Sequence, residues 1–319
     1  MIYQGGQLVA EVVRSGLVEG RHHGSVVVLD ADGKPVDSAG DVTAPIYPRS
    51  SNKPLQAVGM LHGGLALAEP ADLAVVCASH WGQEFHLTRI AGMLARAGLD
   101  ASALGCPPSL PLDDDARVAV LAAGGGPTRL AMNCSGKHTG MLLTCLANGW
   151  PLAGYLEPAH PLQRRLREAV AAATGEPVAT TGVDGCGAPL FTTSLTGLAS
   201  AFLALVHAEP GTAERSVADA MRSFPQLVAG ESAAAADTHL MRAVPGLVAK
   251  SGAEAVMAVA VAGVGAVALK IDDGAARARV PVLCSALRRL GVRPELPAGL
   301  ADSPVLGGGV QVGQVRAVW

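Results

Sequence analysis

Two short segments, the apolar 26–29 and the mixed 36–39, flank the turn tetrapeptide Asp30-Ala31-Asp32-Gly33, and this arrangement predicts a β-hairpin near the start of the chain. Far downstream, residues 246–249, 256–262 and 266–271 read as strands, the last two parted by Gly263 and Gly265 as in a second hairpin. Residues 310–318 predict a final strand. Between these ends the spacing of apolar positions becomes helical: 54–67, 85–97 (stopped by Gly98), 138–147, 161–173, 190–207 and 213–223 predict helices, as does 275–290, kinked at Pro281. The continuous apolar stretch 73–78 predicts a short buried strand, and 107–115 and 124–127 predict loops. Strands at both chain ends enclosing helical material imply one mainly antiparallel sheet assembled from the two ends. The expected architecture is therefore α/β, a single domain over 1–319 with a helical subdomain at roughly 84–240 inserted between the sheet-forming parts. No βαβ alternation is evident, which argues against a doubly wound parallel sheet.

Half of the residues are hydrophobic, enough for a sizeable core, and with aromatics at 3% that core must be built of Ala, Val and Leu. A net charge of −3 with no basic stripe argues against a nucleic-acid partner. No uncharged apolar run approaches the ~18 residues of a membrane span. The opening Met1-Ile2-Tyr3-Gln4-Gly5-Gly6 has neither the charged nor the apolar region of a secretory signal, so a cytoplasmic location is expected. In that compartment the six cysteines are not read as a disulfide framework. Cys77, Cys145 and Cys284 lie in apolar patterns and read as core, whereas Cys134 and Cys186 sit among Gly and polar residues in apparent loops.

Lysine usage points to chemistry. There are 5 Lys against 19 Arg, and a chain that takes its general positive charge from Arg keeps Lys where an amine that can lose its proton is needed. Lys34 belongs to a surface turn. Of Lys53, Lys137, Lys250 and Lys270, the first three lie within three residues of a Ser or Cys. Ser50-x-x-Lys53 at a helix start puts both side chains on one face, so a desolvated Lys53 amine could take the Ser50 proton; the alternative is a capping serine followed by a solvent lysine. Lys250-Ser251-Gly252, at the end of a strand, joins with Ser-x-x-Lys to resemble the signature of penicillin-recognising serine enzymes, and the pair is more specific than either part. Ser79-His80 ends the run 73–78, a place for a catalytic group or for an ordinary terminator. Cys134-x-x-Lys137-His138 and Asp184-Gly185-Cys186 offer two thiols and an amine to zinc, or are structural thiols.

Taken in order, Arg49-Ser50-Ser51-Asn52-Lys53-Pro54, Cys77-Ala78-Ser79-His80, Asn133-Cys134-Ser135-Gly136-Lys137-His138, Asp184-Gly185-Cys186 and Val248-Ala249-Lys250-Ser251-Gly252 resemble the motifs of the class 3, rhizobial-type L-asparaginases (the asparaginase II family), from about Leu8 to the C-terminus. The resemblance implies a fold similar to serine β-lactamases and glutaminases, an α/β(α) sandwich with a helical subdomain. It implies hydrolysis of L-asparagine to aspartate and ammonia by a homodimer. Ser50 would be the nucleophile and Lys53 its base, with Ser79 and Lys250 a second Ser–Lys tandem. Cys134, Lys137 and Cys186 would hold zinc, as an aid to substrate positioning. Arg49 would meet the substrate carboxylate and Asp184 its amino group, with His80 and His138 also lining the substrate site.

The chain departs from that pattern after Ser79-His80. Trp81 stands where a small residue is usual and Gln83 where Glu is usual, so rate and substrate preference are expected to differ. Two rivals remain: a glutaminase or β-lactam-type acyl transferase on the same fold, and a catalytically weak zinc- or amino-acid-binding protein.

Overall fold

The computed structural model describes residues 2–319. A long hairpin, β1 (Gln7–Arg14) and β2 (Leu17–Asp30), is followed by β3 (Pro35–Ala39). Helices follow: α1 (Lys53–His62), α2 (Pro70–Val76), α3 (Glu84–Arg96), α4 (Asp114–Ala122), α5 (Ser135–Ala147) and α6 (Pro161–Thr174). A small ribbon of β4 (Thr181–Val183) and β5 (Pro189–Phe191) interrupts them before α7 (Leu195–His207), α8 (Ala213–Ser223), α9 (Pro225–Val228) and α10 (Ala236–Ala243). The chain then returns to the sheet with β6 (Leu247–Ser251), β7 (Val256–Val261) and β8 (Gly265–Ile271), crosses it with α11 (Ala276–Arg289) and ends in β9 (Pro304–Gly307) and β10 (Val310–Ala317).

The strand order is β6-β7-β8-β2-β1-β10-β9, with β3 also on β2, and every pairing is antiparallel. Both chain ends therefore contribute to one sheet, as the order of elements implies. β2 is long enough to serve twice: its first part pairs with β1, and residues 24–30 pair with β8. β7 is buried at every position, so it cannot follow a half-exposed alternation and must be covered on both faces. α7 packs on β7, β8 and β2, while α11 packs on β8, β2, β1 and β10. Behind α7 lie α1, α6 and α8, and α10 lies on the edge strand β6. Among the described residues no helix is long and apolar enough to cross a membrane.

The structure corrects one expected strand. Residues 73–78 belong to α2 and its C-terminal turn, not to a strand. A run that is buried all round carries no periodicity with which to separate helix from strand. The deciding signals are Pro70 in the first turn and Asp72, which is buried and paired with Arg89 and Arg96 of α3. Likewise, Cys134-Ser135-Gly136-Lys137-His138 is not in a loop: Cys134 caps α5 and the rest form its first turn. Gly136 is needed there because a Cβ would lie 2.3 Å from the Val75 carbonyl oxygen, so its absence lets α5 press against α2.

Candidate active site

Six chain segments are linked by contacts beside the edge strand β6. The tight turn Arg49–Asn52 runs directly into α1, so Ser50 sits in the turn and Lys53 is the first helical residue. The turn packs against β6 and β7. Ser51 is buried and donates to the Lys250 carbonyl at 3.0 Å, which anchors the turn to β6 and leaves Ser50, half-buried, as the reachable hydroxyl of the pair. Gly252 lets the turn approach: a Cβ there would meet the Pro48 carbonyl oxygen at 2.6 Å and Ser51 Oγ at 3.1 Å. Arg49 is held at φ 52°, an uncommon conformation for a side-chain-bearing residue. Its guanidinium donates to Asp184 at 2.8 Å and lies 3.6 Å from Glu254.

Lys53, Lys137 and Lys250 are all buried, which separates them from the exposed Lys34. Lys270 is on β8 and donates to the Ile271 carbonyl. Lys53 Nζ donates to the Ala78 carbonyl at 2.5 Å and to Ser79 Oγ at 3.0 Å. Among the described residues no hydrogen bond joins it to Ser50, and none joins Lys250 to Ser79. The expected pairs are therefore rearranged: Lys53 meets the serine of the second motif, while Lys250 meets Asp237 of α10 at 3.3 Å and the Ser251 carbonyl at 2.7 Å. Burial pulls the Lys250 amine down to about 8, with Lys53 adding to the effect and Asp237 opposing it. Burial alone would raise Asp237, but Lys250 and the Ser251 N–H outweigh it and hold the carboxyl below its ordinary range.

Sequence reasoning missed Asp237. It lies in Ala235-Ala236-Asp237-Thr238, which carries no motif, and its importance comes from contacts with residues 13 and 14 positions away.

His80 and His138 are less available to a substrate than expected. His80 Nδ1 accepts from Gly82 N–H, which leaves Nε2 to donate to Ser135 Oγ at 2.8 Å. Both ring nitrogens are committed, so His80 ties the Ser79 segment to α5. His138 is fully buried, bonded through Nδ1 to Tyr155 at 2.6 Å, and its Nε2 has no partner. Burial pushes its pKa down to about 3, with the neighbouring Lys137 contributing, so the ring is neutral. Trp81 N–H donates to the Ala229 carbonyl, and Gln83 Oε1 accepts from Glu231 N–H at 2.9 Å. The Gln83 side chain thus holds the 229–231 loop near Ser79, whereas the Trp81 bond is made by backbone and does not depend on the side chain there.

Cys134, Asp184 and Cys186 have donor atoms within 4.8 Å of one another, and Lys137 Nζ lies 3.2 Å from Cys186 Sγ. The Cys134 thiol holds Cys186 down to about 5, burial opposing and Lys137 reinforcing the shift, while Cys134 itself is pushed up. Burial disfavours the charge on Lys137, but Cys186 and Cys134 outweigh it and raise its pKa. Two thiols and a carboxylate converge, with the Lys137 amine against one thiol, a donor set that suits zinc once that amine gives up its proton. The structure thus brings the three expected ligands together and adds Asp184, which also answers Arg49.

The site sets buried amines behind half-buried serines at the edge of an α/β sandwich. The L-asparaginase II family matches residues 10–317, and the chain belongs to that family. No curated protein matches the chain. Among solved structures, a beta-lactamase from Mycobacterium bovis is 16% identical over 84% of this chain and 95% of its own, with a TM-score of 0.48. Mglu in its native form is 15% identical over 89% of this chain and 67% of its own, with a TM-score of 0.44. A beta-lactamase from Desulfarculus baarsii is 17% identical over 78% and 82%, with a TM-score of 0.31. Likenesses this loose carry no argument about function.

Proposed function

We propose that this protein hydrolyses L-asparagine to L-aspartate and ammonia through an acyl-enzyme on Ser50. The observation that carries the reading is the Lys53–Ser79 hydrogen bond of 3.0 Å at the start of the helix that Ser50 leads into. Ser50 Oγ attacks the side-chain amide carbon. Lys53 accepts the Ser50 proton. Ser79, already bonded to that amine, relays the proton to the amide nitrogen as the C–N bond breaks and ammonia leaves. Water then attacks the ester carbon with the same groups acting in reverse, which releases aspartate and restores Ser50. The Ser50 backbone N–H, at the start of its turn, faces the charge that develops on the carbonyl oxygen. Arg49 supports binding of the substrate carboxylate and Asp184 its amino group.

Cys134, Lys137 and Cys186 would hold the zinc, with Asp184 beside them. The bound ion would supply a fixed positive charge that helps to orient the substrate. On this reading the enzyme is a cytoplasmic homodimer with a small amide as substrate.

The test is ammonia release from L-asparagine, L-glutamine and a chromogenic β-lactam, with and without zinc, beside Ser50→Ala. Asparagine turnover that disappears in the variant supports the proposal. Preference for glutamine or the lactam would keep the chemistry and change the substrate. Binding of asparagine without turnover would identify a binding protein instead.

A further inference from the structure

Two buried amines, Lys53 and Lys250, lie behind the serines with one buried carboxylate, Asp237. Building on the asparaginase reading above, we propose that Asp237 is a positioning residue for the reaction: its carboxylate grips the Lys250 amine and Ser251 together, and so holds the end of β6 and its amine in place beside Lys53. Four contacts make the grip. Lys250 Nζ donates to Asp237 Oδ2 at 3.3 Å, Ser251 N–H donates to both carboxylate oxygens at 3.1 and 3.0 Å, and Ser251 Oγ donates to Oδ2 at 2.9 Å. The carboxylate is itself fixed, because the next residue, Thr238, donates to the Pro225 and Gly230 carbonyls and anchors α10.

The need for such a grip follows from charge. Three basic side chains face this spot: Lys53 from α1, Lys250 from β6 and Arg279 from α11, which donates to the Gly252 carbonyl at 3.2 Å. Asp237 is the carboxylate that answers them. Cys77, facing both amines, is pushed up to about 12 by burial and stays a neutral thiol. β6 is an edge strand, so no further strand braces Lys250 on its outer side. Without Asp237, the Lys250 side chain has lost its counter-charge and Ser251 its hydrogen-bond acceptor. Lys250 is then free to move, and its amine becomes easier to deprotonate.

The experiment uses the full-length enzyme with Asp237→Asn and Asp237→Glu. Because the chain has only 5 lysines, the Lys250 signal can be followed by NMR of the protein grown on 13C-labelled lysine and assigned with Lys250→Arg. In Asp237→Asn the Lys250 titration midpoint is expected to fall by about one pH unit or more, since the charge that favours the ammonium is gone. With L-asparagine, kcat should fall roughly 10- to 100-fold while KM moves less than about threefold, the signature of lost positioning. The acid limb of the pH–rate profile should shift with the NMR midpoint. Asp237→Glu should recover part of kcat. An unshifted Lys250 midpoint in folded Asp237→Asn, or wild-type kcat, overturns the proposal. If the Asn variant does not fold, wild-type kcat and midpoint in Asp237→Glu, whose carboxylate is displaced by a methylene, overturn it instead. The lysine titration is read without substrate, so a protein inactive on every amide would defeat the asparaginase reading while still testing the Asp237–Lys250 link separately.

Discussion

Lys53 Nζ is hydrogen-bonded to Ser79 Oγ at 3.0 Å, although the Ser-x-x-Lys spacing sets it beside Ser50. The amine of one motif thus meets the half-buried hydroxyl of another. Ser79→Ala removes the relay and keeps the nucleophile and its base. Its kcat for asparagine should fall about 100-fold, with KM changed less than about threefold. Steady-state kinetics decide this, and kcat within a factor of two of wild type would rule out the relay.

Lys250 gives a pH signature in stability. Its pKa is about 8 in the fold, against about 10.4 for a free lysine. Between these values the unfolded chain carries the proton and the folded protein does not, so stability rises with pH across that window. Below about 8 both states are protonated and the full cost of the buried charge, on the order of 3 kcal/mol, is present. Lys250→Met removes the group. The stability of wild type relative to Lys250→Met, from urea unfolding, should therefore improve between pH 7.5 and pH 10. A constant difference would mean that Lys250 is not depressed.

The same amine gives an activity signature. If turnover uses neutral Lys250, kcat/KM rises with pH through about 8. A profile already flat from pH 6 upward would contradict this.

The hairpin at 26–39 and the strands between Gly246 and Ile271 were readable because their periodicity and turn residues agree. The partner strand β1 was not, since Gln7–Arg14 alternates only weakly and gains its place by pairing with β2 and β10. The motif residues were legible as residue types at fixed spacings. Which amine meets which serine was not, because Lys53 and Ser79 are 26 positions apart and their contact depends on how α2 ends against α1. α2 itself was hidden by complete burial, and Asp237 by the lack of any local signal.

Gly252→Ala tests how closely β6 meets the Ser50 turn. The new Cβ would overlap the Pro48 carbonyl and crowd Ser51. The expected cost in stability is about 1–3 kcal/mol, with a larger proportional loss of kcat because the turn that carries Ser50 must shift. Equal stability and activity would show that the turn can yield freely.

Arg49→Lys keeps the charge but loses the planar fork that now meets Asp184. KM for asparagine should rise about tenfold or more with a smaller change in kcat. A change confined to kcat would move Arg49 from binding to chemistry.

Metal content can be measured directly. Purified protein should carry about one zinc per chain, and Cys134→Ser or Cys186→Ser should each reduce it at least about tenfold while the fold persists. Undiminished zinc in both variants would place the metal elsewhere.

The most direct test of the central claim is to mix the enzyme with L-asparagine, quench in acid within milliseconds, and locate any aspartyl ester by peptide mass spectrometry. The account predicts an ester on Ser50 in wild type and no ester in Ser50→Ala. An ester on Ser79, or ammonia release at a near-normal rate from Ser50→Ala, would contradict it.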